Sequence, residues 1–235
     1  MITPAYRFKA VVFDLDGTLI DSAPDVRAAV NKVLAELGRP ALGLREIRGL
    51  VGDGARILMQ RCLAETGPQP TDAEVDAAVT RYLDFYRTDP AGHTEIYPYV
   101  VETLMQLSAE GLKLGVCTNK PHEMTMLVLR ALGIAKLFKA ILGADLMPFK
   151  KPDPRHVLRL LEMMDARPAD AVLVGDSEVD MESARNVGIP AVAVTYGYSR
   201  GNSRDLDAEV RIGSFRQLPD ALMGLGAVIA PATLP

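Results

Sequence analysis

Asp14 and Asp16 stand one residue apart at the end of Ala10-Val11-Val12-Phe13, a short apolar run, and Gly17 and Thr18 follow at once. A buried strand that stops on acids and a glycine delivers side chains to the edge of a sheet, where ligands of open α/β sheets bind. One carboxylate there can attack phosphorus and form an acyl phosphate. Its neighbour can protonate the leaving oxygen and deprotonate the incoming water. Solvated turn acids are a competing reading of the pair, and a calcium loop is another. The EF-hand places its glycine sixth, between two helices. Here the glycine is fourth and a strand comes first.

Three further stretches carry residues of matching chemistry: Thr118-Asn119, Lys150-Lys151-Pro152-Asp153-Pro154, and Gly175-Asp176-Ser177-Glu178-Val179-Asp180. Taken singly, each can be a helix cap or a turn. Aimed together at one sheet edge they make a site with Asp14, Asp16, Asp176 and Asp180 against one or two lysines. Like charges about 4 Å apart repel by roughly 4 kcal/mol at an effective dielectric near 20. A divalent cation relieves that repulsion, and hard oxygen ligands select Mg²⁺ over zinc or copper. A hydroxyl, an amide and an ammonium then remain to hold the transferring oxygens.

The elements that must position these groups are legible from periodicity. Strands are expected at Leu112 to Cys117, around Ala140 to Leu142, at Ala171 to Val174, at Ala191 to Val194 and, weakly, at Glu209 to Ile212. Helical patterns lie between them, from Tyr99 to Glu110, Pro121 to Leu132, Pro154 onward, Glu178 to Val187, and Phe215 to Leu225. Strands alternating with helices predict a Rossmann-like parallel sheet core flanked by helices. One step is abnormal. Asp14 to Thr118 spans 104 positions, whereas a complete βαβ unit takes about 30 or more. The surplus reads as helices only: Val26 to Leu37 with Ser22 as N-cap and Gly38 as stop, Leu44 to Leu50, Ala55 to Glu65, and Asp72 to Arg87 behind a Thr71/Glu74 capping signal. The expected organisation is an α/β core over 1–20 and 90–235 with an all-helical cap domain, 21–89, inserted at the mouth of the site. The Ala/Pro-flavoured tail from Ile229 to Pro235 is expected to fray.

Composition narrows the classes. The chain has 235 residues, 49% of them hydrophobic, enough for one large domain or a domain with an insert. Its 26 basic and 30 acidic residues give a net charge of −4, which speaks against nucleic acid or an anionic membrane as partner. The N-terminal apolar run is short and carries two aspartates, so no signal peptide is expected, and no stretch reaches the roughly 18 apolar residues of a membrane span. Cys62 and Cys117 lack any zinc spacing and are expected to be buried free thiols of a cytoplasmic protein. His93, His122 and His156 show no ligand spacing, and nothing sets the choice between monomer and homodimer.

In this order, the four stretches resemble the motifs of the haloacid dehalogenase superfamily, mostly Mg²⁺-dependent phosphatases, and the likeness covers nearly the whole chain. It implies that Asp14 is the nucleophile and Asp16 the general acid/base. It further implies that Thr118 and Asn119 bind the phosphoryl group and that Lys151 steadies it. Asp176 would hold Mg²⁺ with Asp14 and the Asp16 carbonyl, and Asp180 would orient the metal's waters or Lys151. Thr18 and Ser177 would support them from behind. Asp21-Ser22-Ala23-Pro24-Asp25, Leu50-Val51-Gly52-Asp53-Gly54-Ala55 and Thr195-Tyr196-Gly197-Tyr198 are similar to bacterial phosphoglycolate phosphatases, which implies a small phosphorylated metabolite as partner. Asp53 departs from that pattern, where Asn is more common.

Gly52, Asp53, Gly54, Arg48 and Arg56 are the candidate specificity residues. Arg45, Arg48, Arg56 and Arg61 outnumber Glu46 and Asp53 by two between Pro40 and Arg61. That excess suits a second anionic group on the substrate, although an ordinary solvated helix face would look the same. Within the superfamily, Asp16 argues against a dehalogenase or a transport ATPase. A phosphonate hydrolase would need a cap lysine, and the helical block offers only Lys32. The likeness implies 2-phosphoglycolate as the substrate; a sugar phosphomutase, which shares both aspartates, or a phosphatase for sugar phosphates, nucleotides or pyrophosphate is the alternative. A phospho-acceptor signalling domain uses similar residues, but is far shorter and places its acceptor on a later strand.

Overall fold

A computed structural model describes residues 6–229. The elements in chain order are β1 (Ala10–Phe13), β2 (Ile20–Asp21), α1 (Ala23–Glu36), α2 (Leu44–Leu50), α3 (Ala55–Thr66), α4 (Asp72–Thr88), β3 (Glu95–Ile96), α5 (Val100–Ala109), β4 (Lys113–Cys117), α6 (His122–Ala131), β5 (Ala140–Leu142), α7 (Pro154–Met163), β6 (Ala171–Gly175), α8 (Glu178–Val187), β7 (Ala191–Val194), β8 (Val210–Ile212) and α9 (Leu218–Ile229). Of the tail expected to fray, Ile229 to Pro235, Ile229 is the last residue of α9, and 230–235 lie outside the described residues.

Six strands form one parallel sheet in the order β5-β4-β1-β6-β7-β8. Strand β1 is the switch point. The chain runs from it to β4 and β5 on one side, then returns to place β6, β7 and β8 on the other. Alternation divides its side chains between two cores: Val11 and Phe13 join the larger, Ala10 and Val12 the smaller. Burial on both faces explains why these strands read as continuous apolar runs. Register aligns the ends, with Phe13 opposite both Val116 and Val174. The residues just beyond β1, β4 and β6 therefore lie at one level, in the crevice where such sheets bind ligands.

Helices α1 to α4 pack against one another in the stretch whose two ends are β2 and β3. Those ends pair as a short antiparallel ribbon, Ile20 opposite Ile96 and Asp21 opposite Glu95. No sequence signal marks this ribbon, because two-residue strands have no period to detect. The buried carboxylate of Asp25 fixes the returning chain by accepting from the His93 and Thr94 backbone and side chain groups: His93 N at 3.0 Å and Thr94 Oγ1 at 2.6 Å. Thr71 and Glu74 form the capping box expected at α4. Ser22 departs from expectation. It occupies the N-cap position of α1 but makes no capping bond; its hydroxyl donates to Asp16 Oδ1 instead. Cys62 and Cys117 are free and buried. Among the described residues, no helix is long and apolar enough to cross a membrane.

Candidate active site

Asp14 follows β1, Thr118 and Asn119 follow β4, and Asp176 follows β6; Lys151 lies in the loop before α7. All five are buried. Lys151 is the hub: its Nζ lies 2.8 Å from Asp14 Oδ1 and donates to Asp180 Oδ1 at 2.6 Å. Asp180 is fixed in turn by its place in the first turn of α8. Its Oδ2 accepts from Ser177 Oγ at 2.6 Å and from the backbone N–H groups of Asp176 and Ser177, each at 3.2 Å. Both Asp180 oxygens are thus engaged, which makes it the support of Lys151. Lys150 points elsewhere and donates to the Asp53 carbonyl.

Asp176 accepts from Thr18 Oγ1 at 2.8 Å and from Tyr198 N at 2.7 Å. The backbone of Gly17 and Gly197 closes around it. A Cβ on Gly17, whose φ is +89°, would lie 2.3 Å from Asp176 Oδ2, and one on Gly197 would lie 2.3 Å from Asp176 Cβ. Gly17→Ala combines a left-handed backbone with that clash, so a loss of at least about 2 kcal/mol is expected. A fall in urea midpoint at unchanged slope is the result to look for.

The electrostatics of the cluster are unbalanced. Asp14, Asp176 and Asp180 each offer an oxygen within 4.8 Å of the others. Burial pushes the Asp14 carboxyl up to about 7, although Lys151 pulls it down. Burial, with Asp180 and Asp14 adding repulsion, holds the Asp176 carboxyl well above the usual carboxylate range. Asp14 Oδ1 is buried and, although paired in charge with Lys151, accepts no well-directed hydrogen bond. An orphaned carboxylate oxygen beside a second buried carboxylate fits a hard dication with oxygen ligands. Asp14 and Asp176 are the residues of this cluster that could hold it, since both Asp180 oxygens are engaged.

Asp16 leans the other way, toward the helical insertion. It accepts from Ser22 Oγ and from Lys120 Nζ, the latter at 3.0 and 3.3 Å to its two oxygens. Lys120 is buried, and its Nζ stands 4.6 Å from the centre of the Tyr86 ring on α4. Sequence reasoning missed this lysine. Its signal was available, since it directly follows Thr118-Asn119 beyond a strand end and supplies a cation to an acid-rich site.

Asp14, Asp16, Gly52, Gly54, Thr118 and Asn119 share the wall of a cavity of about 40 Å³ beneath the helices. That volume equals about three waters at roughly 10–15 Å³ each. The Asn119 side chain spends its two donors on the carbonyls of Gly52, at 3.0 Å, and Lys151, at 3.1 Å. It therefore ties the insertion to the lysine loop.

The arginine-rich surface expected to meet a second anion is not assembled. Arg48 pairs with Asp21 at 2.6 Å, Arg56 with Asp72 at 2.7 Å, and Arg61 with Asp53 at 2.5 Å. Asp53 also pairs with Arg200, from the loop after β7. Burial raises the Asp53 carboxyl, but its bonds to Arg200 and Arg61 more than offset this and hold it below the usual range. None of the four arginines between Pro40 and Arg61 borders the cavity, and neither does Asp53. The charge excess was counted within one window, and the acids that cancel it, Asp21, Asp72 and Asp76, lie outside that window.

A family model described as haloacid dehalogenase-like hydrolase matches residues 11–194. A phosphoglycolate phosphatase of Caulobacter vibrioides is 41% identical over 216 residues, covering 92% of this chain and 91% of that protein. One from Cereibacter sphaeroides is 41% identical over 217 residues, covering 92% and 98%. A crystal structure from Haemophilus somnus, described as a predicted phosphoglycolate phosphatase, superposes with a TM-score of 0.85 at 30% identity, covering 94% of this chain and 99% of that one.

Proposed function

The chain belongs to the haloacid dehalogenase-like hydrolases, and from that membership we propose a Mg²⁺-dependent phosphomonoester hydrolase that converts 2-phosphoglycolate to glycolate and phosphate through an aspartyl phosphate. The observation that carries this reading is the Asp14–Lys151–Asp180 chain beside Asp176, with Asp16 separately held at the cavity wall. Mg²⁺ held by Asp14, Asp176 and the Asp16 backbone would neutralise the buried charge and polarise the phosphoryl group.

A carboxylate oxygen of Asp14 attacks phosphorus, and the bond from phosphorus to the ester oxygen breaks. Asp16, protonated at that moment, gives its proton to the departing oxygen. Lys151, whose proton Asp14 and Asp180 hold more tightly than usual despite burial, keeps a positive charge against the transferring oxygens. Thr118 offers its hydroxyl to the same oxygens. Water then yields a proton to Asp16 and attacks phosphorus, which breaks the bond to Asp14 and releases phosphate. Helices α1 to α4 act as a cap over these steps, keeping bulk water away while the intermediate exists.

The named relatives and the small cavity both support phosphoglycolate over hexose bisphosphates or nucleotides. With Mg²⁺ present, kcat/KM for 2-phosphoglycolate is expected to exceed that for hexose phosphates, nucleoside monophosphates and pyrophosphate by at least about tenfold, or roughly 1.4 kcal/mol in transition-state binding. A sugar phosphate or nucleotide turned over faster than phosphoglycolate would reject this substrate.

A further inference from the structure

Among the described residues bordering the cavity, Lys120 is the only one that carries positive charge; Lys151 stands against Asp14 and Asp180 instead. The Lys120 side chain is 6% exposed. Its ammonium is held between the Asp16 carboxylate and the Tyr86 ring, whereas that of Lys151 is held by Asp14 and Asp180. Helices α2 and α3 and the turn between them add apolar side chains to the cavity wall, Val51 and Leu58 among them, and the start of α3 at Gly54 and Ala55.

Resting on the function proposed above, we propose that Lys120 recognises the carboxylate of the substrate, the group that is not transferred. The reach follows from connectivity. Asp16 must face the ester oxygen to protonate it, and in phosphoglycolate the carboxylate carbon is one methylene away from that oxygen. A cation 3.0 Å from Asp16 therefore lies beside the place where the carboxylate must come. When Asp16 turns to the ester oxygen, donors now spent on it become free, since an ammonium has three and no acceptor. Burial against an aromatic face strengthens the attraction for an anion by keeping water out. The cap arginines cannot serve, because each of Arg48, Arg56 and Arg61 is already paired with an acid outside the cavity. A neutral substrate end gives Lys120 no alternative to Asp16, so a carboxylate also releases the general acid for its work.

The test compares 2-phosphoglycolate with 2-hydroxyethyl phosphate, which has the same chain and no carboxylate, on the Mg²⁺-loaded enzyme. Wild type is expected to prefer the carboxylate in kcat/KM by about 100-fold, the scale of losing one partner of a desolvated charge pair. In Lys120→Gln both activities fall, since Asp16 loses a partner, but the preference collapses to less than about fivefold. The ratio is taken within one preparation, so any misfolded fraction cancels. Tyr86→Leu, which leaves the lysine in place, is expected to lower the same ratio by about three- to tenfold. A ratio that stays within threefold of wild type in both variants would overturn the assignment of Lys120 and leave the substrate intact. A wild type without preference for the carboxylate would overturn both.

Discussion

Asp14→Asn is expected to lower kcat by at least about 10⁴-fold, equally for phosphoglycolate and for a generic aryl phosphate, with KM little changed. An amide matches the carboxylate in shape but does not attack phosphorus, so the loss falls on the chemical step. Removal of a nucleophile that works as part of a unit costs about 10⁶-fold in a well-studied hydrolase, which sets the scale. The substitution should leave the fold intact. Lys151 keeps its bond to Asp180 at 2.6 Å, and a group whose charge is opposed by burial is replaced by a neutral one. Circular dichroism and single-turnover phosphate release, with acid quench to trap the acyl phosphate, check the two halves. A folded variant that retains more than about one hundredth of wild-type turnover, or still accumulates a phosphorylated enzyme, would sink the nucleophile.

The parts of this site that the sequence announces are those whose neighbours in the chain fix their place. Asp14, Thr118 and Asp176 each stand directly past a buried strand, and parallel register then brings them to one level. Lys150 and Lys151, neighbours in the chain, go to different partners, the Asp53 carbonyl and the Asp14/Asp180 pair. Distant pairing was not legible. The arginines of α2 and α3 looked available because Asp21, Asp72 and Asp76 come from other elements. The place of Lys120 just past Thr118-Asn119 was legible, but its contact with Tyr86 depends on how α4 packs. Ser22 shows the same limit on a smaller scale: its type and position signal a cap, but a carboxylate six residues back is the stronger acceptor. Local rules place backbone; which charges meet depends on how the helices pack over the sheet.

Removing the metal is expected to abolish turnover and to make stability depend on pH in a particular direction. Asp14 releases its proton near 7 in the folded chain, against 3.8 as its ordinary value, because burial disfavours its charge. Between those values the folded chain binds more protons than the unfolded one, so raising the pH from about 4 to 7 destabilises the metal-free protein. Asp176, shifted the same way by burial, adds to the loss. Lys151 is shifted upward, so its contribution is already complete below pH 10 and does not cancel this slope. A dication bound to the ionised carboxylates competes with those protons and reverses the effect. At a hundred times its dissociation constant, Mg²⁺ would add about 2.7 kcal/mol, which for a chain of this size is a rise in Tm of about 5–10 °C. That rise is expected at pH 8 and should shrink to less than half at pH 5, where protons already occupy the cluster. Melting curves with MgCl₂ and with EDTA at the two pH values decide the matter. An equal rise at both, or none at pH 8, would mean that the buried aspartates do not hold the ion.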